Sequence, residues 1–315
     1  MPEIHAGIGC DLSKRDAMGK RVSSMKLPWV FARLLSFLLS NYQKSRLPGK
    51  YWFFEKTKDR FGRFLIEHRV ATGRFWVPWD QWCFWLEFGP ENYYLDEFIP
   101  FSEKINELVG EVDFVDLGAD IGAVSLLVAG RCHNIRQIIA VEPNPNAYQI
   151  LNKNLQSMAL KTQSFQCAVS NFSGWATLAY EEKLGSDHEG FITMDNRGVI
   201  KVQSLDGLID AADIELAENV VIKIDVEGQE GSTIEGAKSV ISTAMNVILL
   251  LEIHPDVLKR DGISAEVLFE KAEEIREFKW LLPAQGNKEI NRASPFFDQA
   301  DLKQYDVIGV SIANQ

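Results

Sequence analysis

Three short segments carry the side chains best suited to chemistry, and all three are acidic. VDLGADIG (115–122) sets Asp116 and Asp120 among Gly118 and Gly122. KIDVEGQE (223–230) places Lys223, Asp225 and Glu227 at alternate positions, and LLLEIHP (249–255) does the same with Glu252 and His254. Side chains alternate across a strand, so each alternate set shares one face while Ile224 and Val226 enter the core. If these two segments are neighbouring strands, Asp225, Glu227, Glu252 and His254 converge on one pocket. Such a set can supply a general base for a hydroxyl group, and it can equally hold a divalent cation. The spacing matches no dedicated metal motif, so the metal-free arrangement is expected. Plainer roles also fit: Glu252 as the ion-pair partner of Lys223, and His254 as a strand end before Pro255.

The glycine-containing segment resembles a phosphate-binding loop with acids in the wrong places. A loop holding a pyrophosphate gains nothing from two carboxylates. Gly118 suits a tight turn, and Gly122 suits close packing of the next helix. Glu142 follows Gly122 by 20 residues, at the end of the next apolar run. A carboxylate there can accept hydrogen bonds from both hydroxyls of a ribose. The expected ligand therefore has a ribose, no phosphate beside the loop, and positive charge. S-adenosylmethionine, with its cationic amine and sulfonium, meets all three conditions. The plain alternative is a strand–helix turn with an Asp cap.

The elements that must position these residues follow from hydrophobic pattern. Apolar runs at 112–118, 137–143, 164–170, 220–226, 246–253, 279–284 and 305–312 read as strands, with helices at 121–132, 145–158, 229–244 and 264–277. Near-continuously apolar strands separated by helices indicate a parallel doubly wound sheet with helices on both faces. Its ligands bind beyond the carboxyl ends of the strands. Residues 174–208 interrupt the alternation and read as a β-hairpin-like insertion. Its Gly-, Asp- and Asn-rich tip, 183–198, is expected to be a mobile lid over the acceptor.

The chain divides near residue 110 into a basic, helical and aromatic-rich region (1–110) and the α/β body (111–315). Residues 1–60 hold 12 Lys and Arg against 5 Asp and Glu, and the remainder holds 21 against 39. An acidic body argues against nucleic acid as the substrate. PWVFARLLSFLL (28–39) is shorter than the roughly 18 apolar residues a bilayer span needs. It also lies too deep for an ordinary signal peptide. A core helix covered by solvated lysines and arginines is the favoured reading, with peripheral contact to an anionic membrane as the alternative. The run RFWVPWDQWCFWLEF (74–88) is read as core packing, although its aromatic faces could also stack on a sugar. Four scattered cysteines without a C-x-x-C pair indicate a soluble protein of a reducing, cytoplasmic compartment.

Taken together, VDLGADIG (115–122), AVEPNP (140–145), AVS (168–170), KIDVEGQE (223–230) and LLLEIH (249–254), in that order, resemble the FkbM family of S-adenosylmethionine-dependent methyltransferases. The resemblance spans roughly residues 110–255, and D-V-E-G-x-E is its most specific part. It implies a class I, Rossmann-like fold of seven strands, six parallel, with 305–312 antiparallel. It also implies O-methylation of a hydroxyl on a sugar, glycan or polyketide-like product. By position, Asp116, Gly118, Asp120 and Gly122 would line the methionine side, Glu142 the ribose, and Cys167 and Ala168 the adenine. Asp225 would border the cofactor, and Asp225, Glu227 or His254 would take the acceptor's proton. Asp120 stands where the family often has Asn, and Cys167 where a polar residue is common. The rival readings are an NAD-dependent oxidoreductase and a non-catalytic binding module on the same fold.

Overall fold

The computed structural model describes residues 29–62, 64–179, 191–195, 197–300 and 305–312. Its first elements are helices α1 (Trp29–Lys44) and α2 (Lys50–Phe61), the antiparallel hairpin β1 (Leu65–Val70) and β2 (Gly73–Pro78), the short α3 (Trp82–Leu86), and α4 (Leu95–Asn106). The alternation then begins with β3 (Val112–Leu117), α5 (Ala123–Arg131), β4 (Ile135–Val141), α6 (Pro145–Leu155) and β5 (Lys161–Phe165). A small separate sheet follows, made of β6 (Ala168–Val169), β7 (Gly174–Ala179), β8 (Phe191–Met194) and β9 (Ile200–Gln203). The chain returns through α7 (Leu205–Ala211), β10 (Asn219–Ile224), α8 (Glu230–Gly236), α9 (Lys238–Thr243) and β11 (Asn246–Ile253). It ends with α10 (Pro255–Asp261), α11 (Ala265–Glu273), β12 (Phe278–Leu282), β13 (Lys288–Glu289) and β14 (Tyr305–Ser311).

The main sheet runs β13-β12-β14-β11-β10-β3-β4-β5. Strands β5, β4, β3, β10 and β11 are mutually parallel. Strand β14 is antiparallel to both β11 and β12, so β12 shares the common direction. Among the described residues this gives six parallel strands and two antiparallel ones, β14 and the two-residue edge β13. Six parallel strands with 305–312 antiparallel is the arrangement that the resemblance implies.

Alternation explains why the central strands are apolar throughout. Val115, Ile139, Ile222 and Leu249 pack on one face against Leu208, Ile234, Ile241 and Leu268 of α7, α8, α9 and α11. Phe114, Ile138, Val221 and Leu250 pack on the other against Phe101, Leu127 and Leu151 of α4, α5 and α6. Both faces are buried, as parallel sheets require.

Several expectations need correction. The run 164–170 is two strands, because β6 leaves the main sheet after Phe165 and pairs in parallel with β9. The helix expected over 229–244 is divided between α8 and α9 at Ala237. A Cβ at Gly236 would lie 2.1 Å from the Ser170 carbonyl oxygen, so the helix passes directly over that strand end. In the insertion, β7 pairs antiparallel with β9 as well as with an additional strand, β8. Of the tip expected to act as a lid, residues 183–190 and 196 lie outside the described residues.

The aromatic run splits into strand and helix at Pro78. Phe75, Trp79, Phe84 and Trp85 are buried, as expected of core residues. Helix α1 is not a core helix. It buries Ser36, Leu39, Ser40 and Gln43 and exposes Phe31, Leu34, Phe37 and Leu38. Among the described residues, no helix is long and apolar enough to cross a membrane. Cys83, Cys132 and Cys167 are free, buried thiols.

Candidate active site

The site begins with the turn between β3 and α5. Gly118 (φ 74°), Asp120 (φ 47°) and Gly122 (φ 88°) are all left-handed. A Cβ at Gly118 would lie 1.6 Å from the Asp225 carbonyl oxygen, so the adjoining strand end demands glycine there. Gly122 precedes α5, and a Cβ on it would press on Leu151 at 2.9 Å. Asp120 tolerates its positive φ because a short polar side chain does so better than most. The Asp120 side chain accepts a 2.6 Å hydrogen bond from Gln81 Nε2.

Glu142 fastens this turn to the end of β4. Its Oε2 accepts from the Asp120 N–H at 2.8 Å, and its Oε1 from the Asn144 N–H at 2.7 Å. Only 7% of the residue is exposed. Burial, reinforced by Asp120, pushes its pKa from 4.5 up to about 8 against the pull of the two N–H groups.

Lys223 organises the acids at the end of β10. Its Nζ donates to Asp225 Oδ2 at 2.8 Å and to the Gly118 carbonyl at 3.0 Å, and lies 3.6 Å from Asp116 Oδ1. Burial opposes its charge, but Asp225 and Asp116 outweigh burial and raise its pKa. Asp116 is fully buried and accepts 2.6 Å from Ser125 Oγ. Burial pushes the Asp225 carboxyl up, yet Lys223 and a hydrogen bond with Glu252 bring it below the ordinary range. Glu252 goes the other way: burial and the Asp225 charge raise it well above normal. The two carboxyls therefore share a proton that resides on Glu252.

Behind Glu252 lies a second carboxyl pair. Asp306 is its register partner on β14. Burial raises Asp306 to about 6, and burial with the neighbouring Asp306 raises Glu97 to about 9. Glu230 turns back from the first turn of α8, its carboxylate accepting from the Gly228 N–H at 2.9 Å. Glu230 thus builds the turn and is not part of the cavity wall.

These elements enclose a cavity of about 240 Å³ at the carboxyl ends of β3, β4, β10 and β11. Asp120, Glu142, Asp225, Glu227 and Glu252 line it, together with His254, Gly118, Cys167 and Ala168. Among the described residues of the wall there are five carboxylates and no lysine or arginine. Asp225, Glu227 and Glu252 can each present an oxygen within 4.8 Å of the others, a set able to receive a cation. The expected meeting of Asp225, Glu227, Glu252 and His254 is thus realised, since β10 and β11 are neighbours.

A model of the methyltransferase FkbM domain matches residues 116–288, more than half of the chain. The chain belongs to the FkbM methyltransferase family. It is an S-adenosylmethionine-dependent methyltransferase. It is similar to the hexuronic acid methyltransferase AglP of Haloferax volcanii, with 24% identity over 173 residues, 50% of this chain and 68% of that protein. Among solved structures it is similar to methyltransferase FkbM from Methylobacillus flagellatus KT (19% identity, TM-score 0.40). That match covers 73% of this chain and about half, 52%, of the other. It is also similar to M. jannaschii TYW2 in complex with AdoMet, with 11% identity and TM-score 0.38, over 78% of this chain and 84% of that one.

The wall of this FkbM methyltransferase fits S-adenosylmethionine. Anionic side chains suit a sulfonium and an ammonium and would repel the pyrophosphate of NAD. Glu142 would hold the ribose, Asp120 and Gly118 would border the methionine part, and Cys167 and Ala168 the adenine. Asp116 and Gly122 are placed differently from expectation. Asp116 lies beneath the wall, where it holds Lys223 and Ser125, and Gly122 packs on α6. The other half of the wall is Gln81, Trp82, Cys83 and Phe84, from the run read chiefly as core packing, with Tyr93 and Tyr94, which sequence reasoning did not single out. Gln81 and Cys83, polar interruptions within an aromatic run, were the available signal.

Proposed function

We propose that the enzyme methylates a hydroxyl group of a sugar, glycan or polyketide-like acceptor, and that Asp225 receives the proton. The observation carrying this reading is the meeting of Asp225, hydrogen-bonded to Glu252, with Glu227 and His254 on the wall of the cavity. When bound, S-adenosylmethionine supplies a methyl group on a positively charged sulfur, an electrophile needing no further activation. The residues of the chain then have to orient the hydroxyl and take its proton. Asp225 is ionised on the wall and can accept that hydrogen. Its low pKa makes it a modest base, so positioning of the acceptor contributes most of the acceleration. Glu252, as a neutral acid, cannot take that proton; its O–H donates, and its carbonyl oxygen can still accept.

His254 suits a different task from the one expected of it. Its Nδ1 is buried without a hydrogen-bond partner among the described residues. An N–H left unsatisfied there would cost about 1–3 kcal/mol, so the ring hydrogen belongs on Nε2. We assign this ring to orienting the acceptor, with Asp225 as the base. The AglP relative, a hexuronic acid methyltransferase, supports a sugar acceptor. Asp225→Asn should lower kcat about a hundredfold or more with S-adenosylhomocysteine affinity largely kept, while His254→Ala should raise the acceptor's KM more than it lowers kcat. Loss of kcat in His254→Ala with an active, folded Asp225→Asn would transfer the base role to His254.

A further inference from the structure

Helix α1 is inverted. Its buried face is largely polar and bonds to the β1 strand: Ser36 Oγ accepts from the Glu67 N–H at 2.6 Å, Ser40 Oγ lies 3.1 Å from His68 Nδ1, and Gln43 Oε1 lies 2.8 Å from His68 Nε2. Burial pushes His68 down to about 3, so this network holds a neutral ring. The opposite face carries Phe31, Leu34, Phe37 and Leu38, between 55% and 63% exposed. Leu47, and Tyr51 and Trp52 of α2, are exposed as well, Trp52 at 65%. Of the large apolar side chains exposed anywhere among the described residues, these seven lie within 22 positions. A helix that places serine and glutamine inward and phenylalanine and leucine outward is not built to face water alone.

The geometry points to α1 as a docking face for an anionic lipid bilayer. Charge selects this occupant. Arg33, Arg46, Lys56 and Arg60 are exposed along α1, α2 and their connection. Residues 1–60 have a net charge of +7 and the rest of the chain −18. An anionic surface attracts the first part and repels the second, which sets the orientation: apolar helix to the membrane, acidic body away. Tyr51 and Trp52 add amphipathic rings of the kind that sit at headgroup level. A symmetric pairing of two copies through this face would bring basic region against basic region, which the same charges oppose. The face is also tied to the cavity. Tyr42 of α1 packs edge-on to Trp85 of α3, with centroids 6.2 Å apart, and α3 carries Trp82, Cys83 and Phe84 of the cavity wall. Docking there would hold the catalytic body over acceptors presented at a membrane surface.

The test is flotation of the full chain with vesicles of phosphatidylcholine alone and of phosphatidylcholine with phosphatidylglycerol, at low and high salt. Wild-type protein should bind the anionic vesicles at least about tenfold more strongly than the neutral ones, and salt should weaken the binding. Phe37→Ser combined with Leu38→Ser should reduce vesicle binding about tenfold or more, with an unchanged melting temperature because both residues are exposed. Absence of binding to anionic vesicles at low salt, or equal binding by the double variant, would overturn the proposal. So would a wild-type dimer by light scattering that the double variant converts to monomer, since the occupant would then be a second copy.

Discussion

Glu142 connects stability to cofactor binding, and Glu142→Gln separates the two. In the cofactor-free protein its pKa rises from 4.5 to about 8, which corresponds to about 5 kcal/mol between protonation states. The sign follows from proton counting. Between pH 4.5 and 8 the native carboxyl keeps a proton that the unfolded chain has lost, so stability falls as pH rises through this window. Glutamine carries no such penalty. It does carry an offset, because its amide nitrogen must face one of the two N–H groups, of Asp120 or Asn144, that now meet carboxylate oxygens. That donor–donor contact costs about 1–3 kcal/mol at every pH. The variant should therefore be less stable than wild type by about 1–3 kcal/mol at pH 5 and more stable by about 2–4 kcal/mol at pH 9. Urea unfolding of both proteins, without cofactor, at pH 5, 7 and 9 measures the difference directly. A stability difference that stays constant across this range would refute the burial argument. In the same variant, S-adenosylhomocysteine affinity should fall about tenfold to a hundredfold, since one ribose hydroxyl loses its charged acceptor.

The same raised pKa makes cofactor binding a proton-releasing event. At pH 7 a group with a pKa of about 8 is mostly protonated, and ribose hydroxyls favour the carboxylate, so binding of S-adenosylhomocysteine should release close to one proton. Calorimetry in buffers of different ionisation enthalpy would show this as a linear dependence, and zero slope would contradict it. Methyl transfer should also survive exhaustive EDTA treatment, because Lys223 and the proton of Glu252 already reduce the negative charge where Asp225, Glu227 and Glu252 meet. Activity abolished by EDTA and restored by Mg²⁺ or Mn²⁺ would assign these carboxylates to a metal.

Much of this arrangement was legible because a parallel sheet buried on both faces writes itself as apolar runs. VDFVDL and NVILLLEI have that form. Their acidic ends could be placed at the ligand crevice from strand polarity alone. The boundaries that failed did so through contacts distant in sequence. The pairing of β6 with β9 ends β5 early, and the approach of Gly236 to Ser170 divides α8 from α9. Asp116 shows a limit of motif reading. Its position next to the glycine turn suggested a ligand contact, but its side chain faces Lys223 from below the wall. The aromatic wall from residues 81–94 was read chiefly as core because tryptophan and tyrosine look alike in sequence whether they fill a core or border a cavity. Helix α1 was misread for a similar reason. Its apolar residues are numerous enough to suggest burial, and the partners that draw its serines inward, Glu67 N–H for Ser36 and His68 for Ser40, lie about 30 positions further along the chain.

The most direct test of the account is the fate of a labelled methyl group. The protein would be incubated with S-adenosylmethionine carrying a ¹³C-methyl and with a panel of sugars that includes uronic acid glycosides, and the products examined by NMR. The expected result is a ¹³C-methoxy signal on a sugar hydroxyl, one S-adenosylhomocysteine formed per methyl transferred, and loss of that signal in Asp225→Asn. Label appearing on nitrogen or carbon of the acceptor, or an Asp225→Asn protein as active as wild type, would contradict the assignment of this acidic wall to hydroxyl methylation.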